Sequence, residues 1–278
     1  MSVDNKSKLL KYIVLTQMKG LGTVTQNALL DFCGDIDHCF ESDYDDLFCR
    51  EGIKLIGEKR MHSFYCQKDE KELWIRAAEI LQLSESLEIE VIVRENADFP
   101  DRFNNIKGIP AVLYARGKLR INEFRDSTGI VGARRCTLKG KKRAIDIATE
   151  AVGNGIAVIS GMAKGIDSYA HTAALKSQGY TIAVLGSGPD ICYPEEHYRL
   201  YQEIARKGCI LSEYPPGTLP WKYNFPKRNR LIAALSDKLF VIDAGRNSGT
   251  ISTVEECKKY GRKVIMYGGN EQQPSIVI

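Results

Sequence analysis

The sequence predicts an α/β protein in which a doubly wound, mostly parallel sheet follows a small all-helical region. Three observations lead there. From about residue 86 onward, short unbroken apolar runs rich in Val and Ile alternate with helix-length stretches, the pattern of parallel strands buried on both faces. Residues 1–85 contain no such runs and read as helices. Finally, five of the strands lead into helices through loops containing Gly or Ser, as the ligand-facing edge of such a sheet requires.

Taken in order, the helical segments are "KSKLLKYIVLTQM", "QNALLDFC" and "EKRMHSFYCQKDEKELWIRAAEILQLSESL". Between the first two, "KGLGTVTQNALL" (19–30) has the look of a helix-hairpin-helix, whose Gly-x-Gly turn exposes backbone N–H groups that can hold a phosphate. Gly20 and Gly22 equally serve a plain tight turn, and the acidity around them (Asp31, Asp35, Asp37, Asp43, Asp45, Asp46) favours that use. The strands expected after "IEVIVREN" are "AVLYA", "TGIVGA", "GIAVIS", "YTIAVLGS", "CILSEY", "KLFVIDA" and "RKVIMYG". Helices are expected near 138–153, 166–178, 196–207, 226–236 and 250–260. No internal repeat or low-complexity tract interrupts this order.

The net charge of +4 conceals an asymmetry. Residues 1–90 carry 11 Lys/Arg against 17 Asp/Glu, a net −6, and residues 91–278 carry 28 against 18, a net +10. A polyanionic partner is therefore plausible for the sheet region. No segment approaches the ~18 consecutive apolar residues of a membrane span, and the first ten residues are too polar for a signal peptide. The eight cysteines show no CxxC pair and no zinc spacing, which fits a reducing cytoplasm. No metal site and no cofactor is expected.

The strand-end loops are "GARRCT" (132–137), "SGMAKGID" (160–167), "GSGPDICYP" (186–194), "SEYPPGTLPWKYNFPKRNR" (212–230) and "AGRNSGT" (244–250). Five on one edge point to a phosphate-rich ligand. "GSGPDI" has Ile191 where a dinucleotide fingerprint needs its third glycine, and no loop carries a Walker lysine. His171 and His197 fall in predicted helices and suggest packing or surface roles, so catalysis finds no support. In "FPKRNRLIAALSD", Pro226 suits a first helical position, with Asn224 or Phe225 as cap. Lys227, Arg228 and Arg230 then crowd the positive end of the helix dipole, unfavourably until an anion joins them. The neighbouring Trp221, Tyr223 and Phe225, interleaved with Lys222, suit the exposed bases of a single strand. One arginine of the 228/230 pair and one or two aromatics are expected to serve the fold instead.

"SGMAKGID", "GSGPDICYP", "SEYPPGTLPWKYNFPKRNRLIAALSD" and "SGTISTVEE…GRKV" resemble the DNA-processing protein A (DprA/Smf) family, as does "FPDRFNNIKGIPAVLYARG" ahead of them. The resemblance covers about residues 86–270. It implies an extended Rossmann-like domain (86–278) behind a helical, helix-hairpin-helix/SAM-like domain (1–85). It also implies a non-enzymatic cytoplasmic homodimer that binds single-stranded DNA and loads the RecA recombinase in natural transformation. The residues expected to hold phosphate or DNA are Gly132, Arg134, Ser160, Gly161, Lys164, Gly165, Gly186, Gly188, Lys222, Phe225, Lys227, Arg228, Asn229, Arg230, Ser248, Gly249 and Thr250. The chain departs from the family's usual pattern at Ala133 (Ser is usual), His197 (Asn) and Gly268-Gly269 (Pro-Gly).

The alternative is a nucleotide-binding protein or phosphoribohydrolase of the lysine-decarboxylase-like Rossmann family, whose Gly-Gly-x-Gly-Thr-x-x-Glu loop supplies a catalytic glutamate. In "NSGTISTVEE" the corresponding position is Thr253, and Glu255 comes two residues late on another helix face.

Overall fold

Residues 3–245, 249–268 and 275–277 are described in the computed structural model of the chain. They form two units, Met1–Phe99 with Lys107–Leu113, and Pro100–Ile106 with Tyr114–Ile278.

The first unit is helical: α1 (Val3–Gln17), α2 (Thr23–Cys33), α3 (Ile36–Glu41), α4 (Tyr44–Leu47), α5 (Arg50–Ile56), α6 (Glu58–Gln67) and α7 (Lys71–Ser86), followed by strand β1 (Ile89–Val93). Tyr12, Ile13 and Leu15 of α1, Met61 and Phe64 of α6, and Leu73, Ala77 and Leu81 of α7 are buried. In α7 the spacing of four repeats, as it must where one helical stripe faces a core. The long stretch 58–87 is two helices, because the chain turns at 68–70, where Lys68 O accepts from Trp74 Nε1 at 2.8 Å. Its ammonium is buried and donates to Phe40 O at 3.0 Å and Ser42 O at 2.6 Å.

β2 (Val112–Gly117) leads into the second unit, whose elements are β3 (Ser127–Gly132), α8 (Leu138–Gly153), β4 (Ala157–Ser160), α9 (Ile166–Lys176), β5 (Thr181–Val184), α10 (Tyr198–Lys207), β6 (Cys209–Ser212), α11 (Asn224–Leu235), β7 (Lys238–Ile242), α12 (Thr250–Lys259), β8 (Lys263–Tyr267) and β9 (Ser275–Val277). The sheet order is β1-β2-β6-β5-β4-β3-β7-β8-β9. The run β6-β5-β4-β3-β7-β8 is parallel, and β2 and β9 add antiparallel strands to its two sides. This is the doubly wound, Rossmann-like sheet the sequence predicts. Strands β4, β5 and β6 are buried along their whole length, which is why they read as unbroken apolar runs rather than alternating ones.

From β3 the chain moves outward through β4, β5 and β6, then returns to β7 on the other side of β3. The strand-end loops diverge at that reversal and leave a crevice. α8, α9 and α10 pack side by side, and α11 and α12 pack together as a separate pair. Ala144, Ala148 and Ala151 of α8 meet Ala170, Ala173 and Ala174 of α9 in one buried cluster with Ile130, Val158 and Ile242. Such small side chains let the helices sit close to one another and to the sheet.

One boundary and a few short elements differ from expectation. α11 begins at Asn224, so Pro226 is its third residue, still in the first turn where a missing N–H costs no hydrogen bond. β9 and the short α3–α5 carry too little periodic pattern to be read in advance.

Candidate nucleic-acid interface

The carboxyl ends of β3, β4, β5, β6 and β7 all open onto one edge of the second unit. The loops there and the first turns of α9, α11 and α12 line a cleft of about 360 Å³. Gly132, Arg134, Gly161, Lys164, Phe225, Arg228, Asn229, Gly249 and Thr250 line it, together with Asp167, Tyr193 and Thr253. Two glycines are required by close approach. A Cβ on Gly132 would lie 2.1 Å from Ile242 O, and one on Gly165, where φ is +78°, would lie 2.3 Å from Ala133 O. Gly165 thus shapes the loop without lining the cleft.

The backbone N–H groups of these loops are largely engaged by the protein itself. Asp167 Oδ2 accepts from Gly161 N–H at 3.0 Å and Ala163 N–H at 3.4 Å. Asp243 Oδ2 accepts the Thr137 N–H and hydroxyl, each at 2.8 Å, at the start of α8. Both Asp190 oxygens accept from Gly217 N–H at 3.0 Å, and Gly188 N–H donates to Thr218 O at 2.8 Å. Within the cleft, Asp167 therefore takes two N–H groups that a phosphate would otherwise accept, and Asp190 and Asp243 engage further loop N–H groups beyond the cleft lining. Any anion binding here falls mainly to side-chain cations.

Those cations divide into two sets. Arg228 is buried: its Nη1 donates to Gly161 O at 2.8 Å and to Val184 O, and its Nε donates to Asn229 Oδ1 at 3.1 Å. It ties the ends of β4 and β5 together. Burial pushes its pKa down to about 10, with Asp167 opposing, so the guanidinium stays charged at neutral pH. Burial likewise raises Asp167, against the pull of Arg228 and the two N–H donors. Arg230 pairs with Glu213 at 2.5 Å, both side chains largely buried. Each arginine is thus held within the fold, where only one was expected.

The second set is open. Lys222 and Lys227 are exposed, and Lys227 Nζ sits 5.7 Å from the Tyr223 ring centroid. Trp221 and Tyr223 are 51% and 62% exposed, with ring planes within 4° of parallel and centroids 6.5 Å apart. Phe225 is half-buried, packed on Tyr193 at 5.6 Å and with the Arg228 guanidinium 5.8 Å from its ring. Arg134 is exposed at the cleft, and Lys164 is exposed but pairs with Glu196 at 2.5 Å.

The other expected residues lie in supporting positions. Ser160 is fully buried, its hydroxyl donating to Ile130 O at 2.6 Å. Gly186 accepts from Asn224 Nδ2 at 2.9 Å through its carbonyl and gives space to Phe225. Asn229 Nδ2 ties α11 to α12 through Gly249 O at 3.1 Å and Ser252 Oγ at 2.9 Å. Ser248 lies outside the described residues. Sequence reasoning missed Tyr193, an exposed aromatic beside Phe225. Its signal was present in the loop "GSGPDICYP", where an aromatic occupies a strand-end position. Among the described residues, no group of three or more His, Cys, Asp or Glu side chains could hold a metal ion, and no helix is long and apolar enough to cross a membrane.

Comparison with known proteins gives the chain's family. The chain is 38% identical to the DNA processing protein DprA of Streptococcus pneumoniae over 62% of its length and 60% of the relative's. It is 32% identical to protein Smf of Synechocystis sp. over 91% of its length and 63% of the relative's. The chain thus spans about three fifths of these relatives. The X-ray structure of DprA from S. pneumoniae superposes with a TM-score of 0.75 at 28% identity, covering 98% of this chain and 89% of that one. A Helicobacter pylori DprA structure, described for its single-stranded DNA binding mode, superposes with a TM-score of 0.60 at 33% identity, covering 66% and 84%. The family model for DNA recombination-mediator protein A matches residues 90–276, which takes in the whole strand-end edge from β2 to β8, and the chain belongs to that family.

Proposed function

We propose that this chain is a non-enzymatic recombination mediator that binds single-stranded DNA along the carboxyl edge of its sheet. In this reading it protects incoming DNA and loads the RecA recombinase during natural transformation. Residues 86–278 carry the activity and form a cytoplasmic homodimer. The observation that carries the reading is the pairing of open cations with open ring faces on the segment that leads into Phe225 at the cleft. Trp221 and Tyr223 offer open faces for bases beside Lys222 and Lys227, Phe225, Tyr193 and the exposed Arg134 line the cleft, and Asp167 takes two of the loop N–H groups that would cradle a nucleotide phosphate there. A groove of cations and aromatics suits single strands, whose bases are free to stack.

The reading without hydrolysis is supported by α12. Thr253, at the position of a phosphoribohydrolase's glutamate, is buried against the cleft, and Glu255 is exposed on another face. A hydroxyl there cannot do a carboxylate's work.

Fluorescence anisotropy with oligothymidine and with a duplex of equal length, each at two salt concentrations, tests the proposal. Preference for the single strand and weakening with salt are expected. Equal affinity for both, or no binding at low salt, would overturn it.

A further inference from the structure

A second basic surface lies beyond the cleft. From Arg134 to Arg143 the chain carries six cations and no carboxylate. Two of them are occupied: Lys141 Nζ lies 4.7 Å from the Tyr169 ring centroid and the Arg143 guanidinium 4.1 Å from that of Tyr267. The other four, Arg134, Arg135, Lys139 and Lys142, are exposed and make no ion pair among the described residues.

Their placement is unfavourable in isolation. Lys139 and Lys142 sit in the first turns of α8, at the positive end of its dipole and three residues apart on one face. The helix start itself has no vacancy for an anion, since Gly140 N–H donates to Thr137 Oγ1 at 2.9 Å and Asp243 holds Thr137. An anion that relieved this crowding would have to approach the side chains from outside. Between the lysines and the loop stands Leu138, at 87% the most exposed large apolar side chain among the described residues. Arg134 lines the cleft, and Arg135 follows it directly toward α8.

We propose that this surface is a continuation of the strand path. Resting on the single-strand reading above, DNA leaving the cleft at Arg134 passes over the start of α8. Its phosphates meet Arg135, Lys139 and Lys142, and a base or sugar face covers Leu138. The chemistry required is that of a polyanion with apolar faces at short intervals, which a single nucleic-acid strand supplies and a free nucleotide does not.

The test is a length comparison. Against the span of roughly 4–16 nucleotides that one OB-fold covers, an oligothymidine of about 6 nucleotides lies near the short end and one of about 20 lies beyond it. Wild type is expected to bind the longer one more tightly, with a steeper salt dependence. Lys139→Ala/Lys142→Ala is expected to leave the short oligonucleotide's affinity unchanged. With the long one its salt slope should fall by about 1.4, two contacts at about 0.7 each. Leu138→Ala should weaken the long complex several-fold without changing the slope. Lys176→Ala/Lys258→Ala, the same charge change at two exposed lysines of α9 and α12, serves as the control and should match wild type. If the α8 double variant binds the long strand like wild type, the surface serves something else, such as an acidic protein, and the proposal is wrong. It is equally wrong if the control loses as much slope, because the effect is then net charge rather than contact. Failure of the wild type to bind either length would remove the DNA reading itself, a result distinct from a defect confined to the variants.

Discussion

The two units treat charge in opposite ways. Around α1 and the end of β1 in the first, three cations are matched to carboxylates: Lys8 pairs with Asp37 and Glu95, Lys11 with Asp37 and Glu41, and Arg94 with Asp31. Lys68 is buried and bonded to two carbonyls. On the carboxyl edge of the second, the carboxylates face inward to hold backbone N–H groups, and Arg134, Arg135, Lys139, Lys142, Lys222 and Lys227 are left without an acidic partner among the described residues. Net charge alone would mark the second unit as basic. The arrangement adds that Asp167, Asp190 and Asp243 stabilise loops at this edge, so these six surface cations are free for an outside anion.

The largest test of this division falls on Arg228, the cation that belongs to the fold. Arg228→Ala strips the donor from Gly161 O and Val184 O and leaves Asp167 without its nearby positive charge. A loss of about 3 kcal/mol or more in folding stability is expected, as when one member of a buried charged cluster is removed. The urea midpoint should fall with the slope unchanged. Arg228→Lys should rescue little, since an ammonium lacks the planar fork that spans two carbonyls. Unaltered stability combined with lost oligothymidine binding would move Arg228 to the ligand side of the division.

That the sequence could not say which of Arg228 and Arg230 serves the fold shows what a sequence can carry. The strand ends and the Gly loops follow from apolar runs and turn residues, so the fold class and the edge were legible, whereas the strand order with its reversal at β3 was not. Burial at 228 and pairing at 230 depend on Gly161, Val184 and Glu213, which are brought near only by the sheet order. The capping carboxylates were invisible for the same reason: Asp243 meets Thr137 across more than a hundred residues. The basic stretch of α8 was readable, yet without knowing which of its charges are covered only Arg134 stood out.

His171 gives the next effect, through pH. Thr181 donates its hydroxyl proton to Val158 O at 2.8 Å, so His171 Nδ1 must donate to Thr181 Oγ1, also at 2.8 Å. Nε2 is then unprotonated, buried and without a partner. Burial, helped by His197 and Arg228, pushes the pKa down to about 3. The unfolded chain takes up a proton below its ordinary value of roughly 6.5 and the folded one does not, so stability declines as pH falls through that window. The expected loss is roughly 2 kcal/mol by pH 5. Asp167, raised by burial, acts in the opposite sense, so the quantity to measure is the difference in urea stability between wild type and His171→Gln across pH 7 to 5. A constant difference would mean that His171 takes up its proton as readily in the folded state as in the unfolded chain.

Stacking comes third. Tyr223→Ala removes an exposed ring that lies parallel to Trp221 and should cost roughly 1–3 kcal/mol in oligothymidine affinity. The salt slope should hold, because no phosphate contact is lost, and duplex binding should change little. A slope that falls with Tyr223→Ala would mean the ring acts only by positioning Lys227.

The smallest effect sets the two kinds of lysine against each other. Lys11 donates to Asp37 at 2.8 Å and Glu41 at 3.0 Å and holds the Asp37 carboxyl below the usual range. Because both partners stay partly exposed to solvent, Lys11→Ala should cost about 1 kcal/mol or less in stability. That cost should shrink as pH falls, since protonating Asp37 abolishes the pair. It should leave the DNA salt slope untouched. Lys227→Ala is the mirror image: little change in stability, and a salt slope lower by about 0.7 for a single strand. Measuring both quantities on both variants places each lysine by its behaviour rather than its position. If Lys11→Ala lowered the slope as Lys227→Ala does, paired charge in the helical unit would also face DNA, and the contrast between the units would fail.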